Sequence, residues 1–316
     1  MELQIKNQKA LFLLSSLFLS LSVTFGSTAV KATSSASTNP EILFISDLDD
    51  TIKLSQVLSV RGAITRLRDS HSWFLGMNDL YRLVKEDNPN IQFAYVSAAP
   101  KFLLEGSHKK LLQNGQFPVG NYFGRTNITS DNFKLIRIRQ LLDLIKPQKV
   151  IFFGDNGEKD ASVIQLITQE YKDSGIQFFN FIHIVYSKQN PKYAKKIHPT
   201  YPGQLTFVTP VEAALELRRR NLLSETSIRS LVDQLSEQIL NEKSGLRKGV
   251  VAFPSFMDCR GYQWPDSLRS EALIRKMLAE DSRIAKLDLL KEKIQQRCSI
   301  PSIEDNQDDD DGDSNP

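Results

Sequence analysis

The stretch EILFISDLDDTIK, residues 41–53, constrains the fold of this chain more than any other. Its apolar run from Ile42 to Ile45 has the length and composition of a buried β-strand. Three carboxylates, those of Asp47, Asp49 and Asp50, follow within four positions, where their charges repel one another. A strand end of this kind needs a cation, or a polyanion together with its cation, so the sequence predicts a metal-dependent site here.

Further apolar runs predict more strands, separated by segments with helical periodicity. The predicted strands cover Ile91 to Val96, Lys149 to Phe153 and Phe178 to Val185, with short ones at Tyr122-Phe123 and Leu205 to Val208. The predicted helices cover residues 77–85, 101–113, 133–145 and 161–171, and residues 54–75 are expected to be irregular. This alternation indicates an α/β fold over residues 41–220, a Rossmann-like parallel sheet with helices on both faces.

The two ends of the chain have a different character. Lys6 and Lys9 precede an apolar run that leads to small residues, which is the pattern of a secretory signal peptide over residues 1–32. An uncleaved anchor is the alternative. Residues 33–40 read as a flexible linker, and the acid-rich residues 301–316 read as a disordered tail. The predicted destination is therefore periplasmic or secreted.

Residues 221–300 form a predicted helical extension. A cap, a proline and a glutamate at Thr209, Pro210 and Glu212 start the helix that leads into it. Helices are then expected over residues 226–241, 266–280 and 282–297. Export would permit a disulfide between the two cysteines, Cys259 and Cys298, although the sequence does not show that they meet.

Charge is unevenly distributed along the chain. The net charge is +3, yet the tail from Glu304 to Pro316 contains seven acidic residues and no basic one. The body is therefore more basic than the net charge suggests, which favours an anionic partner or a solvated basic surface equally well. A nucleic-acid partner is not expected, and the oligomeric state is left open.

Polar residues at strand ends and at one helix start predict the chemistry of the site. They are Asp47, Asp49 and Thr51 after the first strand, Ser97 after the second, Lys134 at a helix start, and Asp155 with Asp160 after the third. Parallel α/β sheets place ligand sites at the carboxyl ends of their strands. Each signal alone also fits an ordinary cap or turn, but together, in this order, they match the needs of phosphoryl transfer.

The roles assigned to these residues follow from that chemistry. Asp47 would be the nucleophile and a Mg²⁺ ligand, and Asp49 would move protons and offer its backbone carbonyl to the metal. Asp155 would be the third metal ligand. Ser97 and Lys134 would bind the phosphate.

The motifs SDLDDTIK, YVSAAP, Phe133-Lys134 and FFGDNGEKD resemble the four ordered motifs of the haloacid-dehalogenase-like phosphatase superfamily. They are most similar to the actin-patch-type phosphatidate phosphatase catalytic domain family. The resemblance covers about residues 42–220 and implies the same roles, with Thr51 supporting the phosphate site and Asp160 orienting it. Ala99 and Asn156 stand where a serine is usual in that family.

The expected function is that of an exported, Mg²⁺-dependent phosphatase acting through an aspartyl-phosphate. Few residues separate Thr51 from the helix at Met77, so no large cap domain is expected, and a bulky lipid phosphate such as phosphatidate could enter. Residues 73–75, Trp-Phe-Leu, either contact a membrane interface or pack in the core. Two alternatives stay open: a phosphatase for soluble phosphomonoesters or phosphoproteins, and a non-catalytic anion- or partner-binding module.

Overall fold

A computed structural model describes residues 41–126, 132–243 and 245–304. The predicted signal peptide and linker, and most of the predicted acidic tail, lie outside the described residues. The described strands are β1 (Ile42–Ser46), β2 (Trp73–Phe74), β3 (Gln92–Pro100), β4 (Asn121–Arg125), β5 (Lys149–Asp155), β6 (Gln177–His183), β7 (Gln204–Phe207) and β8 (Val250–Val251).

The helices interleave with these strands. They are α1 (Val60–Arg66), α2 (Met77–Asp87), α3 (Lys101–Asn114), α4 (Phe133–Ile145), α5 (Asp160–Glu170), α6 (Pro210–Arg219), α7 (Glu225–Leu240), α8 (Glu271–Leu278) and α9 (Asp281–Arg297). The predicted helix over residues 266–280 is interrupted, because a 3₁₀ turn at Asp266–Leu268 precedes Ser270, which caps α8.

Six strands form one parallel sheet in the order β4-β3-β1-β5-β6-β7, which confirms the predicted α/β fold. Successive side chains along each strand enter different cores. Phe44 and Phe153 lie in the core on one face of the sheet, whereas Leu43 and Phe152 lie in the core on the other. Burial on both faces explains why the strands read as continuous apolar runs rather than alternating ones.

The helices after α6 pack on the same core as the sheet. Apolar side chains of α7 and α9, such as Leu231 and Leu290, belong to the cluster that contains Phe44. All described residues lie in one compact unit, and the domain boundary predicted at residue 220 stays a prediction. Across the described part of the chain, every helix is too short or too polar to span a membrane.

Gly76 allows α2 to approach α7 closely. It has φ +81°, and a Cβ atom at this position would lie 2.3 Å from Leu235 Cδ1. Any other residue would strain the backbone and collide with α7. The close approach of Gly76 to Leu235 therefore packs α7, the first helix of the helical extension, against the start of α2.

The segment over residues 54–75, predicted to be irregular, contains α1 and β2. Helix α1 begins at Ser59, whose side chain accepts a hydrogen bond from the Gly62 N–H (3.1 Å). Sequence periodicity misses α1 because the helix is short, contains a glycine and exposes Val60 and Ile64 instead of burying an apolar face.

Phe74 lies in the core and Trp73 and Leu75 are partly buried against it, so the structure favours core packing over a membrane contact for these residues. Phe74 is buried and lies edge-on to His183, with ring centroids 4.3 Å apart. Strand β2 pairs with β8, which is far from it in the sequence. No local sequence pattern predicts this pairing.

Cys259 and Cys298 form a disulfide bond with an S–S distance of 2.03 Å, which joins the end of α9 to the loop before α8. Both cysteines are buried. The bond closes a loop with a sequence separation of 39 residues, which restricts the unfolded chain.

Replacing both cysteines by serine should lower the free energy of unfolding by about 4 kcal/mol, because the unfolded chain regains the entropy of the open loop. Urea unfolding followed by circular dichroism measures this difference. Wild-type protein kept reduced by excess dithiol is the control and should unfold like the double variant. Equal midpoints for the oxidised wild type and the double variant would contradict a stabilising disulfide.

Candidate active site

The predicted site residues converge on the carboxyl edge of the sheet. Asp47 follows β1 directly, and its backbone N–H donates to the carbonyl of Phe153 in β5 (2.9 Å). Asp155 ends β5, Ser97 lies in the last part of β3, and Lys134 lies in the first turn of α4. Their side chains are all buried. Parallel pairing brings these residues together although they are far apart in the chain.

Asp47, Asp155 and Asp160 form a buried acidic trio. Each offers a carboxylate oxygen, and these oxygens lie within 4.8 Å of one another. Asp155 Oδ1 accepts from the backbone N–H groups of Gly157 (2.6 Å) and Glu158 (3.2 Å). Asp155 Oδ2 is buried and has no hydrogen-bond partner among the described residues. Free carboxylate oxygens are what a hard divalent cation takes as ligands, so the acidic trio fits such an ion.

Lys134 neutralises part of this acidic charge. Its Nζ lies 2.6 Å from Asp160 Oδ1, 2.9 Å from Glu158 Oε2 and 2.8 Å from Asp47 Oδ1. The contact with Asp47 is an ion pair without hydrogen-bond geometry, which leaves Oδ1 of Asp47 open to another partner. One ammonium group faces four carboxylates here, so the acids outnumber the base.

The pKa values reflect this imbalance. Burial raises the pKa of Asp47 well above its ordinary value; Lys134 opposes the shift, and repulsion by Asp160 and Glu158 adds to it. Burial, followed by repulsion from Asp160 and Asp47, likewise raises the pKa of Asp155. Burial also raises the pKa of Asp160. Burial disfavours the charged form of Lys134, but the surrounding carboxylates hold its pKa well above its ordinary value. Without a cation the acidic trio therefore binds protons more readily than exposed aspartates do.

The side chain of Asp49 lies in a separate network. It accepts hydrogen bonds from Ser55 Oγ (2.6 Å) and Ser97 Oγ (3.1 Å), and His108 Nε2 lies 3.2 Å from its Oδ1. Lys53 Nζ is 3.7 Å from the same oxygen. Burial by itself would raise the pKa of Asp49, but His108 and Lys53 hold it well below its usual range. The predicted metal contact through the Asp49 carbonyl stays a prediction.

Thr51 and Ser97, predicted to bind phosphate, hold the two aspartates in this structure. Thr51 Oγ1 donates to Asp47 Oδ2 (3.2 Å), while Ser97 Oγ donates to Asp49 and accepts from the Ala99 N–H (3.1 Å). Both hydroxyls therefore lie beside the residues on which chemistry is expected. Their phosphate-binding role stays a prediction.

His108 is a site residue that the sequence reasoning missed. It is fully buried in α3 and joins Asp49 to Tyr122, whose Oη lies 3.1 Å from His108 Nδ1. The available signal was weak: a lone histidine among lysines in a helix after the second strand. Glu158 was missed as well, since the spacing of the fourth motif does not show that it reaches Lys134.

Asp50, which the sequence left without a role, organises the loop that leads to α1. Its carboxylate accepts from the backbone N–H groups of Ser55 (2.9 Å), Gln56 (2.7 Å) and Val57 (2.7 Å), and from the hydroxyl of Tyr186. Burial raises its pKa to about 6, and these hydrogen bonds limit the rise. Asp50 adopts φ +59°, a conformation that aspartate tolerates better than most residues.

Asn156, a departure from the family pattern, holds the loop after β6. Its Nδ2 donates to the carbonyl of Tyr186 (2.6 Å), and its Oδ1 accepts from the N–H groups of Val185 and Tyr186, each at 3.1 Å. A serine hydroxyl is too short to make all of these bonds. The substitution therefore supports the wall of the site rather than its chemistry.

The fold and the site define an α/β protein with a buried, cation-compatible acidic cluster at the carboxyl edge of its parallel sheet. Residues 42–178 match the model of the family described as phosphatidate phosphatase APP1, catalytic domain. This match agrees with the resemblance predicted from the motifs, over residues 42–178 of the chain.

A curated protein is similar to part of this chain as well. Over 154 residues the chain is 29% identical to phosphatidate phosphatase APP1 of Saccharomyces cerevisiae (strain ATCC 204508 / S288c). The aligned part covers 45% of this chain and 25% of the yeast protein. The chain thus spans about a quarter of the length of the relative that it matches.

The acidic trio should bind Mg²⁺, and Asp155→Asn should abolish this binding, because an amide cannot replace an ionised carboxylate as a ligand. Mg²⁺ should raise the melting temperature of the wild type, with about 2.7 kcal/mol of added stability at a hundredfold excess over Kd. Thermal unfolding over a Mg²⁺ titration measures this. The control Asp173→Asn changes an exposed aspartate and should behave like the wild type. Equal Mg²⁺ responses of Asp155→Asn and wild type would contradict this site.

The affinity for Mg²⁺ should rise with pH, because the raised pKa values of Asp47, Asp155 and Asp160 mean that protons must leave before the metal binds. Calorimetry in two buffers with different ionisation enthalpies should detect proton release, and the release should shrink as pH rises. An affinity that falls between weakly acidic and weakly alkaline pH would refute this interpretation.

Proposed function

We propose that this protein is a Mg²⁺-dependent phosphatase that acts through an aspartyl-phosphate, with phosphatidate or a related lipid phosphate as its favoured substrate. The observation that carries the proposal is the buried acidic trio, with an unpaired Asp155 oxygen beside the open oxygen of Asp47. The family description and the yeast relative both name phosphatidate phosphatase, which supports the lipid phosphate.

The residues of the acidic trio, together with the backbone carbonyl of Asp49, would hold the cation. A bound Mg²⁺ supplies positive charge that offsets the phosphate oxygens and allows neighbouring carboxylates to ionise. Lys134, already among the acids, would bind a phosphate oxygen as well. The remaining catalytic roles belong to Asp47, to Asp49 and to the side chains that contact them.

In the first step, a carboxylate oxygen of Asp47 attacks the phosphorus as the bond to the leaving oxygen breaks. Thr51 orients this carboxylate through its contact with Oδ2. Asp49 gives a proton to the leaving oxygen, which departs as the alcohol. His108 Nε2 lies 3.2 Å from Asp49 Oδ1, so His108 is placed to pass this proton to Asp49 and to take it back after the second step.

In the second step, Asp49 takes a proton from water, and the water oxygen attacks the phosphorus of the aspartyl-phosphate. The bond between phosphorus and Asp47 breaks, which releases phosphate and restores the carboxylate. Ser55 and Ser97 keep Asp49 in place through both proton transfers. Asp47 thus forms and breaks the bond to phosphorus, Asp49 transfers protons, and the two separate networks around them correspond to these two roles.

Asp47→Asn should abolish phosphate release, because an amide is not a competent nucleophile. Asp49→Asn should reduce kcat about 10²- to 10⁴-fold, the range expected for loss of general acid–base catalysis. Phosphate release from phosphatidate in mixed micelles, with and without Mg²⁺, measures both effects. The exposed Asp173→Asn is the matched control. Unchanged turnover in both site variants would exclude the mechanism and favour a non-catalytic binding module.

The same assay with a soluble phosphomonoester distinguishes a lipid phosphatase from a phosphatase for soluble substrates. We expect phosphatidate to be hydrolysed with the higher kcat/KM. Activity confined to the soluble ester would retain the phosphatase reaction and discard the lipid substrate.

We also propose that the protein is exported. The leader pattern supports this proposal, as does the buried disulfide between Cys259 and Cys298, since such bonds persist in oxidising compartments. Cell fractionation with amino-terminal sequencing of the recovered protein tests it. Recovery of the full-length chain from the cytoplasm alone would contradict export.

A further inference from the structure

Two helices next to Asp49 expose large apolar side chains to solvent. On α1, Val60 is 76% exposed and Ile64 is 67% exposed. At the start of α3, Phe102 is 77% exposed and Leu103 is 43% exposed. Exposed apolar side chains cost free energy in water. Four of them on adjoining helices therefore indicate a surface that contacts another molecule.

The two helices touch each other close to these side chains. Ser107 Oγ of α3 donates to the carbonyl of Leu67, which follows α1 (3.2 Å). Ile64 lies one helical turn before Leu67, and Leu103 lies one turn before Ser107 on the same helix face. The end of α1 therefore lies against α3 near these positions, and we call Val60, Ile64, Phe102 and Leu103 the apolar rim.

The apolar rim adjoins the active site. Lys53 Nζ lies 3.3 Å from the Leu67 carbonyl and 3.7 Å from Asp49 Oδ1. Helix α3 contributes His108 to Asp49 as well. Helix α3 thus reaches the proton-transfer aspartate through His108, and Lys53 connects that aspartate to the residue that follows α1, so the rim lies beside the site.

Basic side chains extend the apolar rim on one side. An open cleft of about 670 Å³ is lined by Ile64 of the rim and by Arg68, His71 and Lys248. Arg68 and Lys248 are exposed and form no ion pair with any described residue. Asp69 also lines the cleft, but its carboxylate accepts from the His71 N–H (2.8 Å) and Ser72 Oγ (2.7 Å).

The other charges on the rim are mostly basic too. Arg61 lies between Val60 and Ile64 on α1 and is exposed. On α3, Glu105 is paired with Lys109 (2.8 Å) and lies 4.0 Å from Lys101, so it is already offset. Lys110 adds a further exposed base. Apolar side chains flanked by unpaired cations match the chemistry of an anionic phospholipid surface, which presents acyl chains below a layer of phosphates.

We propose that α1, the first turn of α3 and the basic cleft form the surface by which this protein docks on an anionic phospholipid bilayer. Val60, Ile64, Phe102 and Leu103 insert at the boundary between headgroups and acyl chains, and Arg61, Arg68 and Lys248 contact lipid phosphates. This inference rests on the proposed function, because a phosphatase for a lipid phosphate must meet its substrate at a bilayer.

Vesicle sedimentation in EDTA tests docking apart from catalysis. The vesicles contain phosphatidylcholine with about one fifth phosphatidylglycerol, which is anionic but offers no phosphomonoester. The wild type should bind these vesicles, bind pure phosphatidylcholine more weakly, and lose affinity as salt rises. The double variant Ile64→Glu/Phe102→Glu should bind at least about tenfold more weakly, since it places charge where acyl chains lie. Arg68→Glu/Lys248→Glu should lose a comparable factor on anionic vesicles only.

Two matched controls use the same replacements elsewhere. Leu144 is 79% exposed near the end of α4, which begins at the site and runs about 15 Å away from it by that residue. Leu144→Glu and the exposed Lys172→Glu should bind vesicles like the wild type. All variants should hydrolyse a soluble phosphomonoester at the wild-type rate, because none of these residues touches the reacting groups.

The possible failures are distinguishable. Absence of phosphate release by the wild type from both phosphatidate and the soluble ester, with Mg²⁺ present, would overturn the proposed function, and the vesicle-binding result would then be judged separately. Wild-type protein that hydrolyses phosphatidate but does not bind the vesicles would overturn the docking surface and point to a protein partner for the rim. A loss of binding in Leu144→Glu equal to that of the rim variant would also overturn it.

Discussion

The contact between Lys134 and the acids around it is the interaction on which the site depends. Its ammonium group links Asp47 after β1 with Glu158 and Asp160 after β5, and Lys134 itself starts α4. Three segments from distant parts of the chain are thereby held against one edge of the sheet. A single ammonium group cannot neutralise three buried carboxylates together with the partly buried one of Glu158, so the cluster suits a further cation.

The three aspartates of the first motif have three different sets of partners. Asp47 faces Lys134 and the acidic trio, Asp49 lies among hydroxyls and His108, and Asp50 turns away to hold the backbone of residues 55–57. Their separation explains how carboxylates so close in sequence tolerate one another. Each is buried with its own donors, so their mutual repulsion is opposed locally.

The loop whose backbone Asp50 holds, residues 55–57, runs from the site to the protein surface. It leads into α1, whose apolar side chains face solvent, while α3 joins the same surface to Asp49 through His108. Among the described residues, the segment between β1 and α2 contains only the short elements α1 and β2. The surface formed by α1 and α3 therefore lies close to Asp49 in the structure.

The sequence by itself determined the parallel α/β fold, the strand ends and the order of the chemical groups, because long apolar runs and their polar ends are local patterns. It also predicted correctly the bounds of α4, from its apolar periodicity, and the start of α6, from the capping residue Thr209. Only the tertiary structure decided that Asp160 joins the acidic trio, that His108 serves Asp49, and that Asp50 binds Tyr186. It alone paired β2 with β8, buried Phe74 and exposed Ile64. These outcomes depend on contacts between segments far apart in the chain, and a local pattern holds no information about which distant partner a buried or exposed side chain will meet.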